Sequence, residues 1–176
     1  PLAERRHFPA IDWLTSYSLY LDTLQDWFRQ NVNNVWIDHR KEGMALLQRD
    51  EELREIVMLV GPDALSESQR VILEAARMIK EDFLMQSAVH PVDSYCSTMK
   101  TFNMIKLILK FHDRMKTAVE RGVPLPRIVE LPVKEDIARM KIHPPKEFGK
   151  TAEDVTGKIN SQFNQLVTEF LGAGGE

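Results

Sequence analysis

The sequence predicts an all-α protein, a bundle of about six to seven helices behind a non-helical N-terminal segment. Apolar residues recur every three or four positions in several long windows. Glycine and proline stand where those windows end. Few segments alternate with the period of two that a half-buried strand requires. With 176 residues, 43% hydrophobic and 28% charged, the chain fits one ordinary globular domain with a core of its own.

The first 16 residues carry no helical pattern, and Pro9 holds Phe8 extended. Thr15 and Ser16 are candidate caps for a helix from Ser18 to about Asn31, with Leu21, Leu24 and Phe28 as its stripe and Trp27 beside them. A second amphipathic stretch, about Asn34 to Arg49, carries Val35, Ile37, Met44, Leu46 and Leu47, and Gly43 weakens its continuity. From Glu51 to Val60, the residues Leu53, Ile56, Val57 and Val60 share one helical face. Gly61 suits the left-handed backbone that closes a helix, and Pro62 cannot continue one. Ser66, three residues before Gln69, reads as a capping box opening the next helix. That helix shows Ile72, Ala75, Ala76, Ile79 and Phe83 along one stripe. Burying its larger side chains at about 1.5–3 kcal/mol each would brace the pair and leave the Gly61–Ser66 turn as a protruding tip.

Gln86 to Cys96 reads as a polar loop containing Pro91. A long helix from about Ser97 to Arg121 has Phe102, Ile105, Ile108, Leu109, His112, Met115 and Val119 on a wide face, and Gly122, Pro124 and Pro126 stop it. Val133 to Met140 reads as a short helix with Pro132 at its first turn. Pro144 and Pro145 break the chain. A last helix runs from about Ala152 to Phe170, with Thr151 as cap and Val155, Ile159, Phe163, Leu166, Val167 and Phe170 as its stripe. Gly172 to Gly175 should fray.

The formal net charge of -3 and the lack of a long basic block argue against nucleic-acid binding. One cysteine, Cys96, excludes an internal disulfide and reads as a buried small hydrophobe. No apolar run approaches the roughly 20 residues of a membrane span, so no direct insertion is expected. Neither a Gly-x-x-x-x-Gly-Lys phosphate loop nor a Gly-x-Gly-x-x-Gly turn is present. The histidines His7, His39, His90, His112 and His143 lack metal-site spacing, and His112 on its apolar face reads as a hydrogen-bonded core residue. The carboxylate pairs Glu51-Glu52 and Glu81-Asp82 read as solvated helix surface. A start at Pro1 without Met suggests a piece of something longer.

Two regions carry a longer resemblance. The run Arg-His-Phe-Pro-Ala-Ile-Asp-Trp-Leu-Thr-Ser-Tyr-Ser from Arg6 to Ser18 is one. The other is read in two pieces, in order: Glu-Leu-Arg-Glu-Ile-Val-Met-Leu-Val-Gly-Pro-Asp-Ala-Leu-Ser from Glu52 to Ser66, and Glu-Asp-Phe-Leu-Met-Gln-Ser-Ala-Val-His-Pro-Val-Asp-Ser-Tyr-Cys from Glu81 to Cys96. Together they resemble the C-terminal helical domain of the catalytic A subunits of archaeal A-type and vacuolar V-type rotary ATPases, related to the F-type β subunit. The resemblance runs from about Arg6 to Met140 and fades after His143.

The resemblance implies residues 1–18 as a linker from an upstream nucleotide-binding domain, 19–146 as the helical domain, and 147–176 as a terminal helix with a frayed tail. It implies Phe8 against the adenine of a nucleotide, with a second wall from Val89, Val92 and Tyr95; Val89 stands where the family usually has an aromatic. It implies a contact with the rotating central stalk through Pro62, Asp63, Ala64, Leu65, Ser66 and Glu67, a tip with fewer acids than its β-subunit counterpart. The full-length protein would hold ATP or ADP with Mg²⁺, with no catalytic group and no nucleotide held by this piece alone. Expected partners are non-catalytic B subunits alternating in a hexameric ring and the stalk. The complex would be peripheral, on the cytoplasmic face of the cell membrane, and would couple ATP synthesis or hydrolysis to proton or sodium transport. A self-standing helical interaction module, or the same domain of a non-catalytic or secretion-type ATPase subunit, is the alternative.

Overall fold

The structure, a computed structural model, describes residues 2, 4 and 7–173. Arg6, and Gly174 and Gly175 of the expected frayed tail, lie outside them. Among the described residues all regular structure is helical: α1 (Leu21–Asn31), α2 (Trp36–Val60), α3 (Glu67–Met78), α4 (Thr98–Glu120), α5 (Leu125–Val129), α6 (Val133–Arg139) and α7 (Phe148–Ala173). The all-α expectation holds, and the stretch before α1 is non-helical from His7 to Tyr20.

The centre of the bundle is α4, packed against α2, α3 and α7. Phe102, Ile105, Ile108, Leu109 and Met115 are buried on it as their spacing predicts, and so are Met104, Leu107 and Phe111. Phe111 meets Phe163 of α7 edge-on, with ring centroids 5.1 Å apart. Ser97 caps α4 by accepting from the Lys100 amide at 3.4 Å. Gly122, at φ +87°, ends it and lets Val123 N–H return to the Ala118 carbonyl.

Several boundaries differ from those the spacing predicts, each for a packing reason. The stretches expected at 34–49 and 51–60 form one continuous helix, α2, from Trp36 to Val60. Gly43 does not break it, because that position is buried with Ile79 and Ile105 closing over it. Only Leu53 of the expected Leu53–Val60 stripe is buried; Ile56 and Val60 are exposed, because α2 overruns the start of α3. A turn of π-helix, Ile79–Leu84, extends α3 and returns the Met85 amide to the Lys80 carbonyl. The short α5 was not anticipated; Leu125 and Ile128 anchor it. α7 begins at Phe148, whose buried ring starts the helix a turn early, and Thr151 sits inside it rather than capping it. It also runs through Gly172, expected to fray, to Ala173. α1 starts at Leu21, not Ser18, and neither Thr15 nor Ser16 caps it. No residue of α1 is buried; Phe28, stacked on Trp36 at 5.3 Å, ties it to α2.

Candidate functional site

Two surfaces gather the residues singled out from the sequence. The first is the tip between α2 and α3. Gly61 takes φ +87° and donates to the Val57 carbonyl. Pro62–Ala64 make one 3₁₀ turn. Leu65 turns inward, 6% exposed. Ser66 then caps α3 as expected: the Gln69 amide donates to its hydroxyl at 3.3 Å, and its own amide donates to Gln69 Oε1 at 2.9 Å. The apex is not polar throughout. Met58 and Leu59 are 83% and 84% exposed, and they adjoin the exposed Pro62, Asp63 and Ala64. Of the residues expected at a stalk contact, Leu65 instead pins the turn to the base, and Glu67 is partly engaged, accepting from the Leu125 amide at 3.1 Å. Arg70 lies 3.9 Å from Asp63 and 3.8 Å from Glu67, in ion pairs too exposed to contribute much.

The second surface is the junction of the N-terminal strap with the 85–97 loop. The buried His7 ring lies between the carbonyls of Pro9 and Lys80, at 3.2 and 3.1 Å, and 5.3 Å from the Trp13 ring. Two carbonyls can only accept, so a neutral imidazole serves one of them at a time. The Gln86 amide donates to the Phe8 carbonyl at 2.6 Å, so strap and loop are joined beside Phe8. Asp12 accepts from the Leu14 and Thr15 amides, and these bonds, Thr15 first, hold its carboxyl below the ordinary range.

Within the loop, buried Asp93 accepts from the Ser87 amide at 2.6 Å, and His90 Nδ1 accepts from the Val92 and Asp93 amides. These bonds leave Val89 (93% exposed) and Tyr95 (75%) turned to solvent, with Val92 partly covered; Phe8 is itself half-exposed. A cavity of about 440 Å³, lined by Pro9, Gln86, Ser94 and Tyr95, opens at the same junction. Cys96 is half-buried rather than buried, and the Thr101 hydroxyl donates to its sulfur at 3.3 Å.

Asp50, Lys80 and Lys100 near this surface escaped the sequence reading, which takes Asp82 for helix surface. Asp50 is fully buried in α2, accepting from Arg54 Nε at 2.9 Å and pairing with Lys80. Lys80 in turn lies over the Trp13 ring at 5.8 Å, so one ion cluster links strap, α2 and the π-turn after α3. Lys100 is buried in the first turn of α4, where it donates to the Lys141 carbonyl at 2.5 Å and burial lowers its pKa. Asp82 is not solvated helix surface: burial pushes its carboxyl up to about 6, with Arg77 and Lys141 pulling the other way. The one local signal is Arg54, four residues after Asp50; Lys80 and Lys141, which bond Asp50 and Lys100, lie 30 and 41 residues away. Nor is His112 hydrogen-bonded as expected, since its Nδ1 is buried without a partner.

The arrangement holds no phosphate-handling loop; it offers an exposed apex and an aromatic-edged junction on one helical frame. The family described as the C-terminal domain of V and A type ATP synthase matches residues 25–129, more than half the sequence, and the chain belongs to that family. More particularly, it is 52% identical over 168 residues to the A subunit of the A-type ATP synthase of Methanopyrus kandleri, covering 96% of this chain and 28% of that protein. It is 49% identical over 169 residues to the corresponding protein of Pyrococcus abyssi, covering 96% of this chain and 16% of that protein. For Thermococcus onnurineus the figures are 48% over 169 residues, 96% and 28%. The chain thus spans under a third of the length of these curated relatives. Matches covering 96% of the chain run past His143, where the resemblance was expected to fade.

Proposed function

We propose that this chain is the C-terminal lever of the catalytic subunit of an A-type ATP synthase, with residues 1–18 leading from the nucleotide-binding domain. ATP or ADP with Mg²⁺ is made or hydrolysed upstream in the full-length protein, at groups this chain does not carry. Opening and closing of that site swings the helical body. The apex of α2 and the Pro62–Ala64 turn presses on a central stalk, inside a ring shared with non-catalytic subunits. The complex is peripheral to the cell membrane on its cytoplasmic face and coupled to ion passage. No helix among the described residues is long and apolar enough to cross a membrane, in keeping with that place.

The observation that supports the lever reading best is the contrast within one hairpin. Its base is anchored by Leu53, Leu65, Val71 and Ala75, all buried, while Met58, Leu59 and Asp63 stand in solvent. Firm below and bare above is what a pushing contact needs. Phe8 and Tyr95 belong to the second half of the proposal: flat aromatic faces beside a purine supply contact area.

The test is a variant with Met58→Ser, Leu59→Ser and Asp63→Ala in the assembled motor. All three side chains are exposed, so the melting temperature of the domain should be unchanged while ATP hydrolysis uncouples from ion transport. Full coupling in that variant removes the lever role. Independently, Phe8→Ala should weaken nucleotide binding by the full-length protein roughly tenfold, about 1.4 kcal/mol; unaltered affinity removes the adenine role and leaves the lever untouched.

A further inference from the structure

α2 and α4 pack side by side, and three ligand-type side chains meet across them. Glu42 of α2 and His112 and Asp113 of α4 each offer one donor atom, and these atoms lie within 4.8 Å of one another. Several of the more buried acids of the molecule are matched by cations: Asp50 by Lys80 and Arg54, Glu74 by Lys134 and Arg77, Asp136 by Lys158. Among the described residues no such partner reaches the side chains of Glu42 or Asp113. His112 Nδ1 is buried with nothing to bond.

The electrostatics run the same way. Burial, reinforced by the charge of Asp113, raises the Glu42 carboxyl. Burial lowers the His112 imidazole, with Asp113 opposing and Lys116 assisting, which favours the neutral ring that binds metals. Two acids that repel each other beside an uncharged nitrogen are a group that one bound cation would satisfy together.

We propose that Glu42, His112 and Asp113 form a site for a divalent transition-metal ion of the Zn²⁺ type, which would clip α2 to α4. Bonds of about 2.0–2.2 Å at a tetrahedral ion put neighbouring donors about 3.3–3.6 Å apart. Closing from the present separation needs shifts of about 1 Å in side chains, well within the reach of an exposed Asp113. One nitrogen and two carboxylates with a water in the fourth place suit Zn²⁺, Co²⁺ or Ni²⁺. Mg²⁺ and Ca²⁺ prefer oxygen throughout and are disfavoured by the imidazole.

Titrating the purified chain with Zn²⁺ tests this by melting temperature, and Co²⁺ in its place reports the site by visible absorption. At 100-fold excess over Kd the melting temperature should rise by about 5–10 °C, and Co²⁺ should develop tetrahedral bands. Both signals should vanish in His112→Gln and fall at least tenfold in affinity in Asp113→Asn. Should His112→Gln fold poorly, Glu42→Gln serves as the second variant and should show the same loss. No rise and no Co²⁺ bands in the unaltered chain overturn the site. So does a rise that survives Glu42→Gln and Asp113→Asn, which would place the metal at other histidines. An equal rise with Mg²⁺ would reduce it to general charge screening.

Discussion

The tip and the strap–loop junction are both turns between helices, yet they are built in opposite ways. At the tip most fixing contacts are short in sequence: Gly61 to Val57, Leu65 to Pro62, and Ser66 with Gln69, with Glu67 to the Leu125 amide the long one. At the junction local bonds shape the loop, but the contacts that join strap to body cross the chain: His7 to Lys80 over 73 residues, and Asp50 to Lys80 over 30. A turn made of local devices keeps its shape whatever its surroundings do. A turn made of distant contacts holds its shape only while the parts it joins stay in place. Under the proposed lever, that difference suits an apex that transmits force and a junction that registers movement at the strap.

The sharpest way to break the comparison is Asp93→Ala. Asp93 is 5% exposed and takes the Ser87 amide at 2.6 Å. Removing it leaves a partly buried N–H without a partner, at a cost of about 1–3 kcal/mol. Amide exchange should quicken across 86–96 while the tip amides stay protected. If tip and junction loosened together, the two turns would be one cooperative unit and the distinction would be wrong.

Acidity gives a second, smaller handle on the junction side. The carboxyl of Asp82, in the π-turn leading into the loop, is pushed up to about 6 by burial. A carboxyl raised in the folded state is held there in its neutral form. Its stabilising contribution is complete below pH about 4 and is lost as the pH rises through about 6. The group is partly solvated, so the loss is about 1–2 kcal/mol rather than the full value of the shift. Asp82→Asn should flatten that fall in urea denaturation between pH 4 and 7, and should leave the protein the more stable at pH 7.5.

The same contrast explains what the sequence revealed. The tip was legible because Gly61, Pro62, Ser66 and Gln69 are their own signal, each acting within four residues. The long face of α4 was legible by its period, and α7 by its stripe. The sequence divides α2 between Arg49 and Glu51, where the structure has one helix; nor does Gly43 interrupt it, since helix propensity counts about 1 kcal/mol against that glycine and burial under Ile79 and Ile105 outweighs it. Nothing in the sequence pattern singles out Lys100, Asp50 or Asp93 as buried, because a charge is read as exposed unless its partner is seen. Lys100 bonds 41 residues away, and Asp50 pairs with Arg54 four residues off and with Lys80 30 residues away. Asp93 pairs only six residues off, but through a loop with no period to reveal it. His112 failed for the same reason turned round: its apolar face was plain, and the acids of Glu42 and Asp113 beside it were not.

Ser66→Ala is the smallest effect and the most specific to the local side. The hydroxyl accepts one helix-end amide, and Gln69 answers through the Ser66 backbone. Both groups are near solvent, so water replaces part of what is lost and the cost is about 1 kcal/mol, or about 2–4 °C in melting temperature. Because the two bonds form one reciprocal unit, Gln69→Ala added to Ser66→Ala should cost less than the sum of the singles. The junction should not register either change: exchange at Ser87 and the half-exposed state of Phe8 should be as before. A strict sum would mean that the two bonds act separately. A response at Ser87 would mean that strain at the apex travels down α3 to the strap, which would make the tip a sender of signals rather than a passive point of contact.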